Sequence, residues 1–134
     1  MKLKKVLGAI VLAFILLVTL SVTVFANGTG KEEPLRYTYI AVLNYGIDQG
    51  TVSTSVTSNI TGSSSVKRVK IKMELQKLSN GSYSTVQTWE ETFDSRNASM
   101  DESKLTSPLS TYRLKVTFTA YTASDSETVV KYAY

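Results

Sequence analysis

The feature that most constrains the fold of this chain is a strict alternation of apolar with charged or polar residues over the segment 68–76. The apolar positions are Val69, Ile71, Met73 and Leu75, and the intervening ones are Arg68, Lys70, Lys72, Glu74 and Gln76. Successive side chains of a β-strand point to opposite sides, whereas an amphipathic helix repeats every 3.6 residues. The segment therefore predicts a strand with one buried side and one solvent-facing side.

A period of two recurs along most of the chain, in 35–43, 52–60, 83–93, 112–121 and 127–134. In the first of these segments it predicts Leu35, Tyr37, Tyr39, Ala41 and Leu43 on one side, with Arg36, Thr38, Ile40 and Val42 on the other. Gly46 and Gly50 predict a loop, and the polar segment 94–107 predicts at most a short strand near 98–100. About seven short strands predict an all-β fold, a single immunoglobulin-like or fibronectin-type antiparallel β-sandwich.

Two local patterns support this fold class. Asn80-Gly81 predicts a two-residue hairpin turn, because both central residues of such a turn need positive φ. The residues Leu105, Pro108, Ser110 and Tyr112 resemble the tyrosine corner of immunoglobulin-like and fibronectin-type sandwiches. In that motif a Tyr at the start of a late strand donates its hydroxyl hydrogen to the backbone a few residues upstream.

The N-terminus has the pattern of a secretory signal peptide. Lys2, Lys4 and Lys5 precede an uncharged apolar run over 6–18, and Val24 and Ala26 form a small-residue cleavage site. Cleavage is expected between Ala26 and Asn27, which predicts a signal peptide at 1–26, a flexible lead-in at 27–34 and a β-sandwich domain at 35–134. The alternative is an uncleaved membrane anchor, since the apolar stretch reaches the length of about 20 residues that spans a bilayer.

Removal of residues 1–26 changes the charge of the chain. The precursor has 15 basic and 11 acidic residues, and three of the basic ones lie in the signal segment, so the remaining 108 residues carry 12 basic and 11 acidic side chains. Nucleic acid is therefore not an expected partner. The chain has no His and no Cys, which excludes thiol nucleophiles, disulfides, His/Cys zinc sites and triads with a His base.

Several short segments together resemble a known family. They are Tyr37-Thr38-Tyr39-Ile40, Leu75-Gln76-Lys77, Asn80-Gly81 with Trp89, and Tyr112-Arg113. The chain is similar in these to a family of small exported proteins of Gram-positive bacteria that is classified as a domain of unknown function. Family members often carry Gly before the Tyr-Arg pair, where this chain has Thr111. The resemblance implies export and a domain spanning most of the mature chain, but no activity and no site residues.

The first candidate site is a cationic face. Arg68, Lys70 and Lys72 are predicted to point outward from one strand, and Arg113 and Lys115 from another. In an immunoglobulin-like topology these strands are neighbours in one sheet, so the five cations would share a face that attracts an anionic cell-wall polymer or anionic lipid. The alternative is a solvated strand face whose lysines prevent edge-to-edge aggregation and pair with Glu74 or nearby acids.

The second candidate site is an aromatic platform for sugar rings, formed by Tyr39, Tyr83, Trp89 and Tyr121. Aromatic side chains in strands also form cross-strand packing pairs, which is the alternative interpretation. Carboxylates offer a third possibility, but adjacent Glu90 and Glu91 point to opposite sides of a strand and cannot flank one glycosidic bond. Phosphate-binding glycine loops and calcium-loop spacing are absent, so no catalytic residue, metal or cofactor is predicted.

These observations predict a secreted, non-catalytic β-sandwich that acts as an extracellular or cell-envelope binding module. The expected location is extracellular or cell-wall associated, and contact with a membrane is expected only through an uncleaved signal segment. The expected partner is an anionic cell-wall polymer or a surface glycan. Two alternatives remain open, a carbohydrate-binding or carbohydrate-acting protein that uses exposed aromatics, and a secreted effector or inhibitor.

Overall fold

The structure, a computed structural model, describes residues 37–134, and these form seven β-strands without a helix. The strands are β1 (Ile40–Gln49), β2 (Ser53–Gly62), β3 (Arg68–Ser79), β4 (Ser82–Phe93), β5 (Asn97–Leu105), β6 (Tyr112–Tyr121) and β7 (Ser126–Ala133). Within this part of the chain, no helix is long and apolar enough to cross a membrane. The predicted signal peptide and lead-in lie outside the described residues.

The strands form two antiparallel sheets, which confirms the predicted β-sandwich. One sheet has the order β1-β2-β5 and the other the order β4-β3-β6-β7. In immunoglobulin constant domains the fourth strand belongs to the sheet of the first two. Here β4 stays hydrogen-bonded to β3, because the two-residue turn between them leaves no length for a crossing to the other sheet.

The core lies between the sheets and contains the alternate residues that the period of two predicted. In the four-stranded sheet the inward side chains along most of β3 and β6 are fully buried, namely Val69, Ile71, Met73, Leu75, Leu114, Val116, Phe118 and Ala120. Val56 and Ile60 of β2 meet them from the three-stranded sheet. Burial of one such side chain contributes roughly 1.5–3 kcal/mol, so this contact is the main source of stability.

The predicted alternation at the start of β1 is wrong. Ile40 is buried at 2% exposure, while Ala41 and Val42 are both exposed. The pairing of β1 with β2 shifts register between Ile40 and Val42, so an irregularity adds one residue and reverses the sides before and after it. Gly46 was expected in a loop but lies within β1, paired with Thr57.

The strand β5 is longer than the short strand predicted near 98–100. It pairs with β2 over nine positions, from Ser53–Leu105 to Thr61–Asn97. Its inward positions include Met100, which is buried, but also Glu102, so apolar alternation fails halfway along the strand. The length of this strand therefore follows from its hydrogen-bond pairing with β2 rather than from a hydrophobic pattern.

The predicted hairpin turn is confirmed. Asn80 has φ 52° and Gly81 has φ 81°, the two positive values that a two-residue hairpin loop requires. The turn connects Ser79 with its cross-strand partner Ser82 and so sets the register of β3 and β4.

A carboxylate connects the two sheets at the edge formed by β1 and β7. Glu127 in β7 accepts backbone hydrogen bonds from Thr38 (2.8 Å), Tyr39 (3.0 Å) and Ile40 (3.2 Å) at the entry to β1. The Tyr39 hydroxyl also donates to Asp125 at 2.9 Å. Charge-assisted bonds of this kind are stronger than neutral ones. They fix the start of the first sheet to the last strand of the second.

The tyrosine-corner hydrogen bond is not found. Tyr112 is buried at the start of β6 as that motif requires, but within the described residues its hydroxyl makes no hydrogen bond to the preceding loop. The Gln49 side chain holds the loop instead, donating to the carbonyl oxygens of Ser110 (2.6 Å) and Ser107 (3.4 Å).

Candidate functional site

The outer face of the four-stranded sheet brings the five predicted cations together. β3 pairs with β6, which confirms that the two strands are neighbours. The register places Glu74 opposite Lys115 and Gln76 opposite Arg113, with all of these side chains on the side away from the core. The outward positions of β3 and β6 thus include Arg68, Lys70, Lys72, Arg113 and Lys115, and we call this surface the cationic face.

Two carboxylates on this face engage two of the lysines. Lys70 Nζ lies 3.0 Å from Glu90 Oε1, and Lys115 Nζ lies 3.9 Å from Glu74 Oε2. The hydrogen bond to Glu90, together with its negative charge, raises the pKa of Lys70 above the ordinary 10.5. Among the described outward positions of this sheet, Glu74 and Glu90 are the acids. The five cations therefore leave an excess of positive charge on the face.

The remaining three cations have different neighbours on the face. Lys72 lies opposite Glu90 in the strand register. The Arg68 guanidinium carbon lies 4.5 Å from the centre of the Tyr121 ring at one end of the face. Arg113 lies at the other end, opposite Gln76, and eight residues of strand separate the two arginines by about 26 Å at roughly 3.3 Å per residue.

Arg113 is the centre of an aromatic cluster. Its guanidinium carbon lies 4.0 Å from the ring centre of Tyr83, 4.5 Å from that of Tyr132 and 6.0 Å from that of Tyr134. Arg113 Nη1 also donates to the Tyr134 hydroxyl at 3.3 Å. Guanidinium groups interact favourably with aromatic faces, so the tyrosines restrict the orientation of the charge. We call these four residues the Arg113 cluster.

The Gln76 side chain forms hydrogen bonds that hold Arg113 in place. Its side-chain oxygen accepts from Arg113 Nε at 2.7 Å, and its amide nitrogen donates to Thr85 Oγ1 at 3.2 Å. The Thr85 hydroxyl in turn donates to Glu74 Oε1 at 3.3 Å. Gln76 is only 8% exposed although it points away from the core.

The four residues of the predicted aromatic platform do not come together. Trp89 points inward and packs against the core, opposite Met73, while Tyr83 and Tyr121 lie near opposite ends of the cationic face. Tyr39 precedes β1 and is hydrogen-bonded to Asp125. The aromatic surface that does form is the Arg113 cluster, which shares only Tyr83 with the predicted platform.

Several carboxylates have structural partners. Glu90 pairs with Lys70, Asp125 accepts from Tyr39, and Glu127 accepts from three backbone amides. Over residues 37–134 no group of three or more acidic side chains is placed to hold a metal ion.

Sequence analysis did not single out Tyr132 in β7 and Tyr134 directly after it, two residues of the Arg113 cluster. The alternation Val130, Tyr132, Tyr134 indicates that they share one side of the strand, and the pairing of Lys115 with Tyr132 shows that this is the cationic side. The pattern alone does not reveal which strand lies beside β7, so their proximity to Arg113 required the structure.

Comparison of the chain with protein-family models, with curated proteins and with solved structures finds no match in any of the three. The resemblance to a family of exported Gram-positive proteins therefore stays a prediction.

Proposed function

We propose that this chain is an exported, non-catalytic binding module of the extracellular space or cell envelope, and that the cationic face binds an anionic cell-wall polymer. One observation carries the proposal. The pairing of β3 with β6 places five cations on one sheet face, where two carboxylates leave them incompletely neutralised. Export is supported by the pattern of residues 1–26.

The charge distribution favours a repeating anion over a single small one. The mature chain is nearly neutral, with 12 basic and 11 acidic residues, so long-range attraction of the whole molecule is weak. On the cationic face, by contrast, positive groups follow one another over about 26 Å of strand at roughly 3.3 Å per residue. A polymer with regularly spaced anionic groups contacts several of these cations at once, and each contact releases bound counterions.

The proposal of a non-catalytic role rests on the residue types and their placement. The chain lacks His and Cys, the side chains that most often supply bases and thiol nucleophiles. The adjacent acids Glu90 and Glu91 of β4 point to opposite sides of the sheet, and so do the adjacent acids Asp101 and Glu102 of β5.

Retention on purified cell wall tests this function. We expect binding of the full chain to fall steeply between about 0.1 M and about 1 M salt, as the Debye length shortens from about 10 Å to about 3 Å. The double variant Lys70→Gln/Lys72→Gln removes two charges from the centre of the face and should lower affinity about tenfold or more. The matched control Lys67→Gln/Arg96→Gln removes two charges from exposed loop positions and should have little effect.

Two results would contradict the proposal. One is retention that does not change with salt, which would indicate a contact without an electrostatic contribution. The other is an equal loss in both double variants, which would mean that net charge rather than the cationic face determines binding.

A specific observation also favours the carbohydrate-binding alternative. Tyr132 and Tyr134 are 40% and 78% exposed at one end of the cationic face. Exposed aromatic rings offer flat apolar surface to the C–H groups of a sugar, while their hydroxyls remain available for hydrogen bonds. This alternative predicts binding of a neutral glycan, with an affinity that is insensitive to salt.

A further inference from the structure

We infer that the Arg113 cluster is a subsite for one sugar residue that carries an oxyanion, a carboxylate or a phosphate. The inference rests on the proposed function, because it assigns the most specific contact of an anionic polymer to one end of the cationic face. It depends on the orientation of Arg113, its free hydrogen-bond donors, and the exposed ring beside it.

The orientation of the guanidinium is fixed from several directions. The Nε atom donates to Gln76 Oε1 at 2.7 Å, and the carbon atom lies 4.0 Å from the Tyr83 ring centre and 4.5 Å from that of Tyr132. The acceptor Gln76 is itself 92% buried and bonded to Thr85. A ligand therefore meets a guanidinium whose rotational freedom has already been lost.

Most of the Arg113 donors remain available. An arginine side chain has five N–H donors, of which Gln76 takes one and the Tyr134 hydroxyl takes another. Among the described residues, no carboxylate forms an ion pair with Arg113. The remaining donors lie on the two terminal nitrogens. Their fork matches two oxygens of a carboxylate or phosphate, whereas a lysine offers only a point charge.

The neighbouring tyrosine supplies the surface for a ring. Tyr134 is 78% exposed and stands edge-to-face with Tyr83, with ring centres 6.4 Å apart and an interplanar angle of 72°. Its hydroxyl oxygen accepts from Arg113, which leaves the hydroxyl hydrogen for a ligand oxygen. A sugar residue that stacks on this ring brings its anionic substituent to the guanidinium, so the ligand has both a ring and an oxyanion.

The chain contains its own control for this site. Arg68 is also an outward arginine of the same sheet, and its guanidinium carbon lies 4.5 Å from the Tyr121 ring centre. Among the contacts found in the described part of the chain, however, Arg68 has no counterpart of the bonds from Arg113 to Gln76 and Tyr134. Replacement of either arginine by lysine leaves the charge of the face unchanged, and only replacement of Arg113 removes the fixed fork.

Calorimetric titration of the full chain with four probes tests the inference. The probes are trigalacturonate and glucose 6-phosphate, which combine a ring with a carboxylate or a phosphate, and maltotriose and inorganic phosphate, which have only one of the two features. We expect at least one of the acidic sugars to bind at least tenfold more tightly than either single-feature probe. Arg113→Lys should weaken that binding tenfold or more and Tyr134→Ala about fivefold, while Arg68→Lys should change it less than twofold.

The outcomes separate this inference from the proposed function. Binding of inorganic phosphate or maltotriose as tight as that of the acidic sugars overturns the subsite, and so do equal effects of Arg113→Lys and Arg68→Lys. Absence of binding by both acidic sugars also overturns it. In each case the proposed function still stands if retention on cell wall is salt-sensitive and lost in Lys70→Gln/Lys72→Gln, since those charges are untouched here.

Discussion

The outer faces of the two sheets differ in the side chains they present to solvent. The three-stranded sheet exposes short uncharged groups along β2, such as Ser55, Thr57 and Asn59, and its outward acids are Asp48 and Asp101. The four-stranded sheet presents long cations and tyrosines. The described residues thus present one outer face with an excess of positive charge and one with a small excess of negative charge, a difference that net charge alone does not reveal.

The two faces also differ in how their side chains interact. Outward residues of β2 such as Thr57 and Asn59 are exposed, whereas outward residues of β3 and β6 such as Lys72 and Lys115 are only partly exposed. Long aliphatic stems cover the central strands, with the charged ends in water. Hydrogen bonds and ring contacts then connect side chains of neighbouring strands on the cationic face. These contacts restrict the side chains of this face.

The largest expected effect concerns what the two sheets share. Ile60 of the three-stranded sheet and Ile71 of the four-stranded sheet are both 0% exposed in one core. We expect Ile60→Ala and Ile71→Ala each to lower the free energy of unfolding by about 2–5 kcal/mol, measured by urea denaturation. Thr57→Ala, on the outer face, is the control and should change it by less than about 0.5 kcal/mol. A small effect at Ile60 alone would show that the sheets do not share a core.

The second prediction concerns the contact that joins the sheets at one edge. Glu127→Gln replaces a carboxylate that accepts three backbone hydrogen bonds with an amide that has one acceptor oxygen. We expect a loss of about 2 kcal/mol in the free energy of unfolding and faster amide hydrogen exchange at Tyr39 and Ile40. Glu91→Gln, at an exposed position, is the control. An equal loss of stability in that variant would show that the three hydrogen bonds of Glu127 make no particular contribution.

The third prediction concerns a polar defect inside the three-stranded sheet. The Ser58 hydroxyl is the buried side-chain oxygen without a hydrogen-bond partner in residues 37–134. Ser58→Ala should therefore stabilise the protein by about 1 kcal/mol, because it removes an unpaired buried polar group. Thr54, also buried in β2, bonds to Thr106 at 2.7 Å, so Thr54→Val should destabilise by about 1 kcal/mol. A loss of stability in Ser58→Ala would mean that the hydroxyl is bonded in solution.

The smallest expected effect is a pH dependence at the entry to β1. The hydrogen bond to Asp125, together with its charge, raises the pKa of the Tyr39 hydroxyl above the ordinary 10.0. Because the pKa is higher in the folded state, this stabilisation is complete below the unfolded pKa and is lost as the pH rises through the folded one. Tyr39→Phe should be less stable than the wild type at pH 8, and the difference should shrink above a pH of about 10.

Urea denaturation of the two proteins across this range measures the difference. Tyr83→Phe serves as the control, since within the described residues the Tyr83 hydroxyl forms no hydrogen bond. A difference between wild type and Tyr39→Phe that stays constant up to the alkaline end would show that the Tyr39–Asp125 bond does not form in solution.

Apolar alternation predicted the parts of the fold whose strands are buried on one side. It predicted β3 and β6 because the inward residues from Val69 to Leu75 and from Leu114 to Ala120 are all apolar, and Asn80-Gly81 predicted the turn that joins β3 to β4. It was wrong at β1, where an added residue leaves Ala41 exposed while Leu43 packs against the core. Apolar alternation predicted too short a β5, because the inward residue Glu102 is not apolar. The position of this strand depends on its pairing with β2.

The sequence likewise predicted only part of the candidate site. The cations of β3 and β6 share a face because two strong alternations coincide, and the sequence shows both. The aromatic residues were assigned to the wrong group because spacing alone does not distinguish inward Trp89 from outward Tyr83. The contacts of Arg113 with Tyr132 and Tyr134 depend on which strand lies beside β7, and that is a property of the strand order.

Mapping of amide chemical shifts in the full chain during titration with a soluble anionic cell-wall polymer tests the central claim most directly, because it compares the two outer faces in one experiment. We predict shifts concentrated at Lys70, Lys72, Arg113 and Lys115 and at the neighbouring residues of β7, with little change at Ser55, Thr57 and Asn59. Shifts concentrated on the three-stranded sheet, or spread evenly over both faces, would contradict the assignment of the cationic face as the binding surface.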